Sequence, residues 1–189
     1  MRRRSFFRAA ASVVPATGLY PLVARQARAQ VPAAPPSSVP HVVGAGEDRY
    51  GHPHAVGLDP LLFKVATRDT GGGLFVVEHP HLLAGGPPLH LHLNQEEWFY
   101  VMEGEVAFQV GDQRLHLHAG ESVLAPRRVP HTFSSVAATP SRMLIAFCPA
   151  GKMEQFFRDI EDPKAPVGEA EFWRRYEIEL LGPSPFRKS

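Results

Sequence analysis

The chain has 189 residues and one cysteine, with a formal net charge of +1. A single thiol excludes an internal disulfide framework, and no Lys/Arg-rich face of the kind that binds nucleic acid is evident. The charge is also unevenly placed: residues 1–29 carry six of the 20 basic residues and none of the 19 acids, so the rest keeps 14 and a net charge near −5.

The N-terminus opens on Arg2-Arg3-Arg4-Ser5-Phe6-Phe7-Arg8, then a mildly apolar run from Ala9 to Ala24 that Pro15 and Gly18 interrupt. It ends on Ala27-Arg28-Ala29, a small-x-small cleavage signal. Arg3-Arg4 with Phe6-Phe7 resembles a bacterial twin-arginine signal. Residues 1–29 are therefore expected to be a signal peptide cleaved after Ala29. The mature protein would be periplasmic or secreted, with no stable membrane anchor. Twin-arginine export carries folded proteins, which suits a protein loaded with metal in the cytoplasm.

Residues 30–54 are expected to form an extended, Pro-rich segment with little to bury. His52 and His54 form an H-x-H split by Pro53. No spaced acid accompanies them, and they are expected to lie in a loop.

From Leu61 the pattern alternates with period two. Strands are expected at Leu61–Thr67, Leu74–His79, 87–93, 97–103, Glu105–Val110, Gln113–His118, Glu121–Ala125, His131–Val136 and Ser141–Cys148. A turn is expected at Asp69–Gly73 and a tight hairpin at Gly111-Asp112. Short strands with Gly/Pro turns point to a closed or two-sheet antiparallel architecture over residues 55–150. Residues 151–189 are expected to be helical. Met153, Phe156, Phe157 and Ile160 recur at helical spacing, as do Phe172, Trp173, Tyr176 and Leu180 over Glu169–Leu181. These helices are expected to cover one face of the β structure. Cys148, late in its strand, is expected to be a buried, inert thiol.

The chemistry concentrates between Gly85 and Gly104. His90 and His92 alternate with Leu89, Leu91 and Leu93. In a strand, residues i and i+2 share a face and lie roughly 6.5 Å apart, so both imidazoles can turn to one metal ion. Glu97 opens the following strand and can reach the same ion if the strands are neighbours. His131 follows a proline turn and supplies a fourth candidate ligand. Three imidazoles and one carboxylate suit one divalent transition metal: Mn, Fe, Co, Ni, Cu or Zn. His116 and His118 repeat the alternation but lack the Gly-Pro-Pro lead and the spaced acid, and they are expected to face solvent. By strand parity Phe99 and Val101 share Glu97's face, and Phe133 shares that of His131. The expected substrate pocket is thus apolar and suits a small aromatic molecule. Arg127 and Arg128 lie near its rim.

These stretches resemble the cupin family, whose motifs read G-x5-H-x-H-x3-4-E-x6-G and G-x5-P-x-G-x2-H-x3-N. His90, His92, Glu97 and Gly104 fall on the first, and Gly120, Pro126 and His131 on the second. Glu96 satisfies the shorter gap but misses the spacing to Gly104. Ala84, Arg128 and Ser135 replace the opening glycine, the second motif's inner glycine and its asparagine. All three bear on turn geometry and none is a ligand. The resemblance implies an all-β cupin-type double-stranded β-helix, a jelly-roll barrel with C-terminal α-helices and the metal inside it, and it favours a homodimer. Glu97-Trp-Phe-Tyr-Val is similar to cupins of the quercetin dioxygenase type. That likeness implies an O2-dependent dioxygenase acting on a phenolic, flavonol-like substrate, with Glu97 both ligand and catalytic base, its basicity raised by an apolar wall. A non-catalytic small-molecule-binding cupin and a Mn-dependent oxalate decarboxylase or oxidase are the alternatives.

Overall fold

The computed structural model describes residues 38–56 and 59–187. The expected signal peptide and the first part of the Pro-rich segment lie outside the described residues. Eleven strands among the described residues form two antiparallel sheets. The first has six: β1 (His54–Val56), β2 (Asp59–Val65), β3 (Phe75–Leu82), β10 (Ser141–Cys148), β5 (Glu96–Glu103) and β8 (Ser122–Ala125), in that spatial order. The second has five: β11 (Ile178–Gly182), β4 (Leu89–His92), β9 (His131–Ser135), β6 (Glu105–Val110) and β7 (Gln113–His118). Two short helices, α1 (Met153–Asp159) and α2 (Ala170–Arg174), lie between β10 and β11. This is the jelly roll of the cupin fold.

The alternation seen in the sequence is the alternation of burial. In β10, Ser141, Met143, Ile145 and Phe147 are buried while the residues between them are not. Phe63, Phe75, Val77, Phe99, Val101, Val106 and Met143 are fully buried and fill the space between the sheets. At roughly 1.5–3 kcal/mol for each large apolar side chain removed from water, such residues dominate the stability of the fold. The β6–β7 hairpin closes through Val110 and Gln113, and the two residues between them leave the strand path at once, Gly111 with φ 58°.

Four expectations need correction. The turn expected at Asp69–Gly73 begins earlier, as a short 3-10 helix over Thr67–Thr70. Asp69 accepts from the backbone N–H of Ala66 and from Arg49, which tightens the chain into that turn. His54 is not in a loop. It begins β1, is buried, and stacks on Phe63 at 3.7 Å between ring centroids, with Nδ1 bonded to Glu161. The helix expected over Glu169–Leu181 stops at Arg174, and Ile178–Gly182 is a strand. Glu177, at φ 65°, makes the break. Cys148 is exposed, because Phe147 takes the inward position and its neighbour must point out.

Candidate metal centre and cavity

Strand β4 buries His90 and His92 and leaves Leu89 and Leu91 half-buried, so both imidazoles turn to the inside. His131, the first residue of β9, lies opposite His90. Glu97, second in β5, is also turned inward, whereas Glu96 points away and forms a bidentate pair with Arg127. Parity alone therefore separates the two acids. One atom each from His90, His92, Glu97 and His131 lies within 4.8 Å of the others, and all four residues are buried.

The turn that delivers His131 is held by the backbone N–H of Arg128, which donates to the carbonyl of His92 at 2.7 Å. Arg128 has φ 64°, the left-handed region that a glycine at this motif position adopts freely. The glycine is absent but its conformation is kept. The Arg128 Nε also donates to the carbonyl of Leu93 at 3.3 Å, so neither expected rim arginine is free of protein partners. Gly86 is required by close approach: a Cβ there would meet the Phe133 carbonyl oxygen at 1.6 Å. Ser135, in place of the motif's asparagine, bonds Ser141 at 2.8 Å.

The hydrogen bonding fits a metal. His90 Nδ1 donates to the Pro88 carbonyl at 2.8 Å and His131 Nδ1 to that of Val129 at 2.9 Å. Such second-sphere bonds fix the ring and turn Nε2 inward as a donor to an ion. His92 Nε2 is 3.0 Å from Glu97 Oε2 but out of hydrogen-bonding alignment, and both of its nitrogens are buried without a hydrogen-bond partner. Buried polar atoms are rarely left so unless an ion or water completes them. His90, His92, Glu97 and His131 could bind a metal.

The titration directions follow from the packing. Burial, and then the neighbouring His131 and His92, lower His90 to about 3, so it is neutral and has a lone pair available. Burial alone would raise Glu97. The hydrogen bond with His131 and the close approach of His92 outweigh it, and the net direction is down. The raised carboxyl expected from an apolar wall is thus corrected: the neighbouring imidazoles decide the sign. His131 goes up, because its 2.7 Å contact with Glu97 outweighs burial.

The cluster opens on a cavity of about 700 Å³. Its wall includes Phe133, Phe147, Phe156, Phe157, Trp173 and Ile178. Phe133 stands where the sequence placed it. Phe99 and Val101 do face inward, but they are fully buried in the core and are not among the residues lining the cavity. Sequence reasoning missed most of this wall. The α1 aromatics, expected only to pack, do pack and also face a cavity. It also missed His79, which lines the cavity from β3 and shares inward parity with Phe75 and Val77. His116 and His118 are exposed beside Glu105, as expected.

Fold and cluster together define a jelly-roll protein with a buried candidate metal centre of three histidines and one glutamate. Residues 82–147 match the family model described as the cupin domain. Oxidoreductase iacF of Pestalotiopsis fici is 31% identical over 122 residues, covering 58% of this chain and 54% of that protein. Uncharacterized protein MJ1618 of Methanocaldococcus jannaschii is 25% identical over 61 residues, covering 32% and 49%. The chain thus spans about half the length of these curated relatives. Among solved structures, an RmlC-like cupin from Shewanella frigidimarina superposes with a TM-score of 0.50 at 20% identity, over 61% of this chain and 96% of that one. The matched segment and the shared fold support the cupin superfamily. No helix among the described residues is long and apolar enough to cross a membrane.

Proposed function

We propose that the protein is an exported, metal-dependent dioxygenase acting on a small phenolic, flavonol-like molecule. The observation that carries this reading is the opening of the His90-His92-Glu97-His131 cluster onto a cavity of about 700 Å³ walled by aromatic rings. A cavity of that size and lining favours a planar aromatic occupant over a two-carbon diacid. The relative named an oxidoreductase supports redox chemistry.

A redox-active divalent metal held by the four side chains would supply Lewis acidity toward an ionised substrate hydroxyl and one-electron chemistry toward O2. Both atoms of O2 enter the organic product, so no external reductant is needed. The aromatic wall binds the ring and keeps water from the centre. His90 and His131 are held by the Pro88 and Val129 carbonyls and keep their geometry through the reaction. Glu97 accepts the substrate hydroxyl proton at a carboxylate oxygen. Its lowered pKa keeps it ionised and ready, though a weaker base than an apolar setting alone would make it.

Export through a twin-arginine signal ending at Ala29 to the periplasm belongs to this reading and is supported by Arg3-Arg4 and Ala27-Arg28-Ala29. A homodimer is also part of it: β5 and β8 expose Trp98 and Leu124 side by side on their outer face. The test is oxygen uptake by the metal-loaded protein against a panel of phenols. Uptake with a flavonol, lost in Glu97→Gln with most of the metal retained, supports the reading. Binding of the flavonol with no oxygen uptake would make the protein a carrier instead.

A further inference from the structure

Asp59, His79, Asp162 and Arg187 line this cavity outside the metal centre, and of these His79 is buried and without a hydrogen-bond partner. It is 7% exposed and lines the cavity with Leu61, Leu82 and Ile145. It makes no hydrogen bond to the described residues, and its Nδ1 is buried without a partner. Leu61, Leu82 and Ile145 beside it are apolar, and a leucine would fill the same place without leaving an unpaired nitrogen. Buried polar groups in native proteins are almost always paired, so an unpaired imidazole on a cavity wall points to a ligand. Burial, and then the nearby His81, lowers His79 to about 4. It is therefore neutral near pH 7, with one nitrogen to donate and one to accept.

Register gives its place. On β10, Phe147 lies opposite Glu97, and Met143 lies opposite His79. Four residues of strand separate the two levels, roughly 13 Å. His79 thus stands well away from the level of the metal cluster, in the part of the cavity that Leu82, opposite Ser141, continues. A molecule held at the cluster by one oxygen must be elongated to reach it.

We propose that His79 is a specificity-determining residue that hydrogen-bonds a hydroxyl on the distal ring of an elongated phenolic substrate. This assignment rests on the phenolic reading of the cavity. A site built to bond a hydroxyl discriminates against the analogue lacking it.

The test uses the metal-loaded full chain and two probes, 3-hydroxyflavone and its 4′-hydroxy derivative, titrated by calorimetry, with metal content measured in parallel. Wild type binds the 4′-hydroxy probe about tenfold more tightly, the worth of one good net hydrogen bond. His79→Leu abolishes the preference and keeps its metal, and His79→Gln retains most of it. A preference that survives in His79→Leu overturns the assignment, as does a wild type that binds both probes equally. Loss of metal in His79→Leu also overturns it, by making His79 structural. No binding of either probe by wild type overturns the phenolic reading together with the assignment.

Discussion

Ile178 of β11 lies directly opposite His92 of β4, and Leu180 lies opposite His90. The strand that carries two of the four candidate ligands is thus held between β9 on one side and the C-terminal strand on the other. Ile178 is 1% exposed and also lines the cavity. Truncation after Tyr176 should therefore release β4 and lower bound metal well below that of the full chain, while Ile178→Val costs only about 0.5–1.5 kcal/mol and keeps the metal. Metal content and urea unfolding of the two variants check this. Full metal retention in the truncated chain would show that β11 does not support the site.

The β9 turn makes a second prediction. A non-glycine residue in the left-handed region costs roughly 1–2 kcal/mol, and Arg128 occupies it. Arg128→Gly should stabilise the protein by about 1 kcal/mol without altering metal content. Gly86→Ala should do the reverse. Its Cβ would fall on the Phe133 carbonyl at a φ of 57°, so backbone must move and stability should fall by more than about 2 kcal/mol. Denaturant midpoints of both variants test the pair.

Glu78 gives the acid limb. Its carboxylate is buried, with Arg142 Nε at 2.7 Å and Lys64 Nζ at 3.2 Å. Burial pushes its pKa up, but these partners outweigh it and the net direction is down. A carboxyl with a lowered folded pKa stabilises the fold above its unfolded pKa, about 4.3. That contribution fades as pH falls through the folded value. Glu78→Gln should therefore cost about 1–3 kcal/mol at pH 7, with the gap to wild type closing toward pH 3. Urea unfolding at both pH values checks the sign. An equal gap at pH 3 would remove Glu78 from the acid response.

Export predicts a mature N-terminus at Gln30. Mass spectrometry of protein recovered from the periplasm of a bacterial host checks it, and Arg3→Lys with Arg4→Lys should hold the precursor in the cytoplasm. An intact residue 1 in the periplasmic fraction would contradict cleavage.

Much of the candidate site can be read in the chain, because His90, His92 and Glu97 sit in strands whose parity is plain and His131 follows a proline turn, although its own strand is buried throughout. Leu89 to His92 alternate strictly, and Glu97 differs from Glu96 only by the face it takes. The cavity is less legible. Phe99 and Val101 have the inward parity of Glu97, yet inward means core on β5 and cavity at the same register on β10 and β3, where Ile145 and His79 stand, and parity carries no information on which strand borders the cavity. Aromatic spacing hides the C-terminal strand. Phe172 and Trp173 of α2, and Tyr176 in the turn just after it, all pack on Phe156. Five residues of Ile178–Gly182 are too few to show a period of two against that signal. His54 is hidden because its partners are remote: Phe63 lies nine residues away and Glu161 over a hundred.

The central claim is that His90, His92, Glu97 and His131 hold one metal ion, and elemental analysis of the purified protein beside a His90→Ala/His92→Ala variant tests it most directly. The account predicts about one equivalent of a redox-active divalent metal in the wild type and almost none in a variant that still folds. A folded wild type without metal, or a double variant that keeps its full equivalent, would contradict it.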